Sequence, residues 1–420
     1  HQHQHQHQQH QLLQRPAPAP PARPAWAAAR PSRAALAAAQ SRVAALEARL
    51  QQAVLMEEER HEATRDLARE RMLAQILAAH LRAAEQHAAH GRGRPRALQL
   101  LADLLVIDDP FALRICDGVQ VLRDTGNGKE YRFGRMLHEN SRDQRFVLEA
   151  QEVSSGAFVT IKQVSRRCVA QFPVHQQPLV MSMLRREFLV QALLAPLAHP
   201  NICTMYRYFE NSAYIYAVSH RADMSLMDFA VTNSLRSSID VHFIVYQMAA
   251  SLEALFAVGL AHRDVKLDNF VITSRGRDGA LVQLIDFGLC ESLLLSPTEP
   301  DAWEPLTGLR GTPAFMAPEV FSCPDKPYDA EKADVFSLGV CIFALICGTL
   351  PFNKPSFLEK GYQMVFHHGA GQVLRHFCRQ RKREHLIDQR IIDLVDHMMV
   401  VQPEHRFRIT DVARALEAPG

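Results

Sequence analysis

Eight consecutive residues, His262-Arg263-Asp264-Val265-Lys266-Leu267-Asp268-Asn269, set an acid, a base and an amide at fixed offsets. No other stretch restricts the chain's fold and chemistry so tightly. Asp264 can accept the proton of an attacking hydroxyl, Lys266 can offset charge on a transferring phosphoryl group, and Asn269 can ligate a hard cation through its amide oxygen. Asp286-Phe287-Gly288 follows 17 residues after Asn269, behind the apolar run Leu281-Val282-Gln283-Leu284-Ile285, and Ala317-Pro318-Glu319 comes after it. One such motif alone is a weak signal; three in this order exclude coincidence.

On these motifs, residues 129–417 resemble the catalytic domain of eukaryotic serine/threonine protein kinases. The resemblance implies an α+β, bilobal fold, with a small antiparallel sheet lobe carrying one helix over 129–218 and a large, mainly helical lobe over 221–417. It implies ATP and Mg²⁺ as cofactors and a protein Ser/Thr hydroxyl as acceptor. Asp264 would orient and deprotonate that hydroxyl, Lys266 would face the γ-phosphate, and Asn269 with Asp286 would hold Mg²⁺. Gly311-Thr312-Pro313 together with Lys266 is similar to the serine/threonine-selective form of the site, in which the Thr312 hydroxyl bridges the acid and the lysine. Asp334, in Asp334-Val335-Phe336-Ser337-Leu338-Gly339, would anchor the backbone of the His262-Arg263-Asp264 loop. Glu319 would pair with an arginine from Pro403-Glu404-His405-Arg406, either Arg406 or Arg408.

Upstream, Tyr131 to Val164 carries period-two apolarity in Phe146-Val147-Leu148 and Ala157-Phe158-Val159-Thr160-Ile161, with Ser154-Ser155-Gly156 as a turn between, which predicts antiparallel strands. Val159-Thr160-Ile161-Lys162 resembles the family strand whose lysine holds the α- and β-phosphates. Its acidic partner would be Glu187, the one Asp or Glu between Val153 and Tyr208. Ile215-Tyr216-Ala217-Val218-Ser219-His220 is similar to the strand leading to the adenine-binding hinge, with Val218 or Ser219 guarding the back of the pocket. The departure from the family lies at Leu137-His138-Glu139-Asn140-Ser141-Arg142-Asp143, which takes the place of the phosphate loop and has no glycine. Glycine permits positive φ and close approach of backbone amides to phosphate. Its loss predicts weakened nucleotide affinity, with Leu137 still covering the base.

The segment after Gly288 carries Ser296, Thr298 and Thr307. Arg263 is the family's partner for a phosphate on this segment, because a guanidinium binds that dianion bidentately. Thr307 is the first candidate for such phosphorylation, ahead of Ser296 and Thr298.

The rest of the chain reads from composition. A net charge of +2 over 420 residues demands neither nucleic acid nor an anionic membrane as partner. The eight cysteines show no metal-ligand spacing, which fits a reducing, cytoplasmic setting. The apolar run Val340 to Cys347 is too short for a membrane span and reads as a buried helix. Residues 1–32, a His/Gln tract followed by Pro/Ala alternation, cannot bury apolar area and predict disorder. Residues 33–90 place Leu36, Val43 and Leu50 on one heptad line, with Ala39, Leu46 and Ala53 behind it. This predicts a coiled coil for self-association or partner pairing, against the plainer reading of a solitary Ala-rich helix. Residues 91–128 read as a linker and small-lobe extension. A second functional reading stands beside the enzyme: a catalytically weak kinase-fold scaffold that binds partners through its coil.

Overall fold

The computed structural model describes residues 112–417, apart from 117–118, 124–127, 141–143, 175–176, 178–186, 189, 192–193, 195–196, 211–212, 233–234, 275–278 and 294–304. The expectations for residues 1–32 and 33–90, and those for Ser296 and Thr298, lie outside these. The chain divides into two compact units, residues 112–198 with 203–222, and residues 199–202 with 223–417.

In the first unit, period-two apolarity becomes a seven-stranded antiparallel sheet. Its strands are β1 (Ala112–Cys116), β2 (Val119–Arg123), β3 (Glu130–Asn140), β4 (Arg145–Glu152), β5 (Phe158–Ser165), β6 (Met205–Glu210) and β7 (Tyr214–His220). They lie in the order β1-β2-β3-β4-β5-β7-β6. Successive side chains alternate faces, so each strand feeds two separate cores. One face gathers Leu122, Tyr131, Ala150, Val159, Ile161, Tyr216 and Val218. The other packs Val164, Ile215 and Ala217 against Val169, Phe188 and Met205. The β1–β2 hairpin adds two strands to the sheet edge and buries Leu122 beside Tyr131.

The second unit is built on two long helices. Ser238–Ala257 starts with a capping box, in which Ser237 and Asp240 each accept a backbone N–H of the other. This helix is long and apolar enough by length and composition to cross a membrane. It is instead packed among its neighbours here, with Val241, Ile244, Val245, Met248 and Leu252 all buried. Ala330–Cys347 is buried along its whole length, as an apolar surface on every side requires. Asp329 caps its start and Gly348, at φ +67°, ends it. Shorter helices at Lys360–His368, Ala370–Arg381, Gln389–Met398 and Ile409–Glu417 complete the unit, with strand pairs at Phe270–Ser274 and Ala280–Leu284 carrying the loops of interest.

The boundary differs from the expected 218/221 junction. Residues His199–Ile202 join the helical unit and the break falls between Ala222 and Asp223. The reason is a buried polar anchor. Asn201 Nδ2 donates to Gln247 Oε1 at 2.9 Å and to the Val282 carbonyl at 2.8 Å, while Leu284 N–H donates to the Asn201 carbonyl at 2.8 Å.

Candidate active site

The helical unit holds the acid, the lysine and the amide in one constellation. Asp334, fully buried near the start of helix Ala330–Cys347, accepts the backbone N–H of His262 at 2.7 Å on Oδ2 and that of Arg263 at 2.9 Å on Oδ1. Burial pushes its carboxyl up to about 7, and these two N–H donors act against that rise. The anchor holds Arg263 at φ +65°, a left-handed backbone that a non-glycine residue adopts only under surrounding constraint. Asp286 has a similar φ, +62°. Between them the His262 ring meets Phe287 edge to face at 5.9 Å, and both residues are fully buried. Burial lowers the His262 pKa, which keeps the imidazole neutral against the pull of Asp264 and Asp286.

Asp264 emerges from this anchored loop with both oxygens engaged. Oδ2 accepts Lys266 Nζ at 2.7 Å, and Oδ1 accepts the Thr312 hydroxyl at 2.7 Å. Lys266 Nζ also donates to Thr312 Oγ1 at 3.2 Å, which closes a triangle. Gly311 makes that closure possible. It sits at φ +111°, and a Cβ there would lie 2.6 Å from the Arg263 carbonyl oxygen.

Asn269 Nδ2 donates to the Asp264 carbonyl at 2.8 Å, which fixes the amide's orientation and turns Oδ1 away from that bond. Its own carbonyl accepts Ile285 N–H at 2.8 Å, tying the loop to the residue before Asp286. No group of three or more His, Cys, Asp or Glu residues is arranged to hold a metal among the described residues. The donors available, one carboxylate from Asp286 and one amide oxygen from Asn269, suit Mg²⁺, which retains water and phosphate oxygens in its shell.

Arg263 reaches into the segment after Gly288. Its Nε donates to the Tyr328 hydroxyl at 3.1 Å, and Nη2 donates to the Thr307 carbonyl at 3.1 Å. Nη1 lies 3.5 Å from Glu291 Oε2. Thr307 is exposed. Neither Tyr328 nor Glu291 was legible as a partner of Arg263, because only the fold brings them together across 65 and 28 residues. Cys290 is buried. Farther off, Arg406 clasps Glu319 bidentately at 2.7 and 3.1 Å and stacks over Phe336 at 5.0 Å. Arg408 pairs with Glu331 at 2.7 Å, so the sequence's two candidates separate cleanly.

The sheet unit carries the remaining residues. Lys162, on β5, donates to Glu187 Oε1. Glu187 is helical and buried, its other oxygen 3.7 Å from Arg145 Nη1. The regular β5–β7 register pairs Lys162 with Ala217 and Thr160 with Ser219. Ser219 therefore shares the Lys162 face, while Val218 turns into the opposite core with Leu122 and Tyr131. Of the two back-pocket candidates, Ser219 lies on the Lys162 face and Val218 is core. Leu137 lies half-exposed on β3, at an irregularity in the β3–β4 pairing. Gln144, which immediately precedes β4, has a left-handed backbone at φ +50°.

Comparison with known proteins agrees with this geometry. Residues 146–416 match the family model described as protein kinase domain, starting just past the glycine-free loop. Maternal embryonic leucine zipper kinase of Danio rerio is 29% identical over 215 residues, 51% of this chain and 28% of that protein. CBL-interacting serine/threonine-protein kinase 20 of Arabidopsis thaliana is 28% identical over 232 residues, covering 55% and 48%. Serine/threonine-protein kinase SIK1 of Rattus norvegicus is 27% identical over 266 residues, covering 62% and 31%. The chain thus spans less than half the length of each of these three relatives. With an antiparallel sheet unit, a helical unit and this family match, the chain belongs to the eukaryotic protein kinase superfamily.

Proposed function

We propose that the protein is an ATP- and Mg²⁺-dependent serine/threonine protein kinase, in which Lys162 and Glu187 of one unit and Asp264, Lys266, Asn269 and Asp286 of the other act on a single nucleotide. The observation that carries this reading is the Asp264–Lys266–Thr312 triangle. A carboxylate so held is aimed before substrate arrives, and that positioning is most of what phosphoryl transfer asks of a protein.

Bound Mg²⁺·ATP supplies the phosphoryl group and the cation that neutralises charge developing on it. Asp264 accepts the acceptor hydroxyl's proton on the oxygen freed when Thr312 or Lys266 lets go. Lys266 then stabilises the charge on the transferring group, within reach of the same carboxylate. Asn269 and Asp286 offer hard oxygen donors to the cation, and Lys162, oriented by Glu187, grips the non-transferred phosphates. Phosphate on exposed Thr307 would meet Arg263 and order the segment further. Residues 33–90 would mediate self-association or pairing with a partner, and deleting them and weighing the particle in solution tests the first.

The glycine-free loop favours the second reading, a kinase-fold scaffold without transfer. One assay separates the two: phosphate transfer from γ-labelled ATP to casein, with Asp264→Asn as control. Label in casein that the variant abolishes supports the enzyme. Equal incorporation by both proteins, or none by either, contradicts it.

A further inference from the structure

We propose that Arg145 is a second phosphate-binding cation beside Lys162, standing in for the backbone amides that the glycine-free loop cannot bring close. This rests on the nucleotide-binding reading above and names a residue of that same site.

The register places it. β4 pairs with β5 as Arg145 with Val164, Val147 with Lys162 and Glu149 with Thr160. Arg145, Val147 and Lys162 therefore share one face, with Arg145 one diagonal step from the lysine, a separation long side chains span. Both cations reach the same carboxylate: Lys162 is hydrogen-bonded to Glu187 Oε1, and Arg145 Nη1 is 3.7 Å from Oε2. That second contact is an ion pair too long to be a hydrogen bond, so it leaves the guanidinium's donors uncommitted. Arg145 Nε is buried and finds no acceptor among the described residues, although the side chain as a whole is 34% exposed. A buried N–H without an acceptor is costly, and an incoming anion removes that cost.

The chemistry fits a polyphosphate. A planar guanidinium presents parallel donors matched to phosphate oxygens, where lysine offers only a point charge. β3 pairs with β4 out to Asn140 and Arg145 at the turn, so the backbone here is committed to strand pairing. Charge from the first residue of β4 replaces amides from the turn.

The test is titration calorimetry of the full chain with Mg²⁺·ATP and with adenosine, on wild type, Arg145→Gln and Arg145→Lys. Arg145→Gln is expected to weaken ATP about tenfold and leave adenosine unchanged, with Arg145→Lys recovering part of the loss. Wild type should also lose more ATP affinity to added salt than Arg145→Gln does. Unchanged ATP affinity in Arg145→Gln, or equal losses for ATP and adenosine, would overturn the proposal while nucleotide binding stood. A wild type that binds ATP no better than adenosine would overturn the parent reading, and this one with it.

Discussion

Thr312 Oγ1 donates to Asp264 Oδ1 at 2.7 Å while Lys266 occupies the carboxylate's other oxygen. The proposed general base is therefore held by Thr312 and by Lys266, 46 residues away, with Asn269 Nδ2 also donating to its Oδ2 at 3.3 Å. Thr312→Ala removes one of these holds and should lower kcat roughly 10- to 100-fold, the range a misplaced catalytic group costs. Thr312→Ser keeps the hydroxyl and should retain most activity. Steady-state phosphate transfer on both variants checks this, and equal activity in Thr312→Ala and wild type would remove the hydroxyl's role.

Gly311 should tolerate no side chain. A Cβ at φ +111° meets the Arg263 carbonyl at 2.6 Å, so Gly311→Ala must push the Thr312 segment off the catalytic loop. Activity should fall at least as far as in Thr312→Ala, and hydrogen exchange should quicken at residues 305–317.

Arg406 and Glu319 form a structural pair. Arg406 is 2% exposed and bonds the carbonyls of Val400, Val401 and Lys332 besides the carboxylate. Removing one partner leaves the other charge buried and unanswered, so Glu319→Gln or Arg406→Met should cost roughly 3–5 kcal/mol in denaturant unfolding. Residual activity at low temperature should stay near wild type.

The fold was legible where the signal is local. The offsets within residues 262–269 and the period-two apolarity of β4 and β5 each follow from a short window; Glu319, by contrast, had two candidate arginines, and the fold pairs it with Arg406 across 87 residues. What escaped depends on pairing across distance. The β1–β2 hairpin has five-residue strands too short to separate from a linker until Leu122 is seen beneath Tyr131. Arg145 at Glu187 follows from strand register, and the choice between Val218 and Ser219 waits on which face Lys162 takes. Tyr328 carries no motif, and its hydroxyl reaches Arg263 only because Leu306 and Tyr328 pair backbone to backbone.

His199 should make stability depend on pH in a defined window. Burial holds the His199 imidazole down at about 4, and its Nδ1 accepts Asn201 N–H at 3.2 Å, so the folded chain keeps it neutral. The unfolded chain takes up that proton near 6.5. Stability from this group is therefore full above 6.5 and is lost as pH falls towards 4, by at most about 3 kcal/mol. In His199→Gln, whose amide oxygen can accept the same N–H, the loss between those values should shrink. What remains combines His262, lowered by burial and acting in the same direction, with Asp334, whose raised carboxyl gains stability over the same fall in pH. Chemical denaturation from pH 7 to 4 gives the comparison.

The proposed kinase activity requires Lys162, Asp264, Asn269 and Asp286 to serve one metal-bound nucleotide. Thermal shift with Mg²⁺·ATP on wild type, Lys162→Met, Asp286→Asn and Asp264→Asn tests it most directly. Wild type and Asp264→Asn should be stabilised by the nucleotide, Lys162→Met and Asp286→Asn should lose that stabilisation, and only wild type should label casein. Equal stabilisation of Lys162→Met, Asp286→Asn and wild type, or none in wild type, would contradict it.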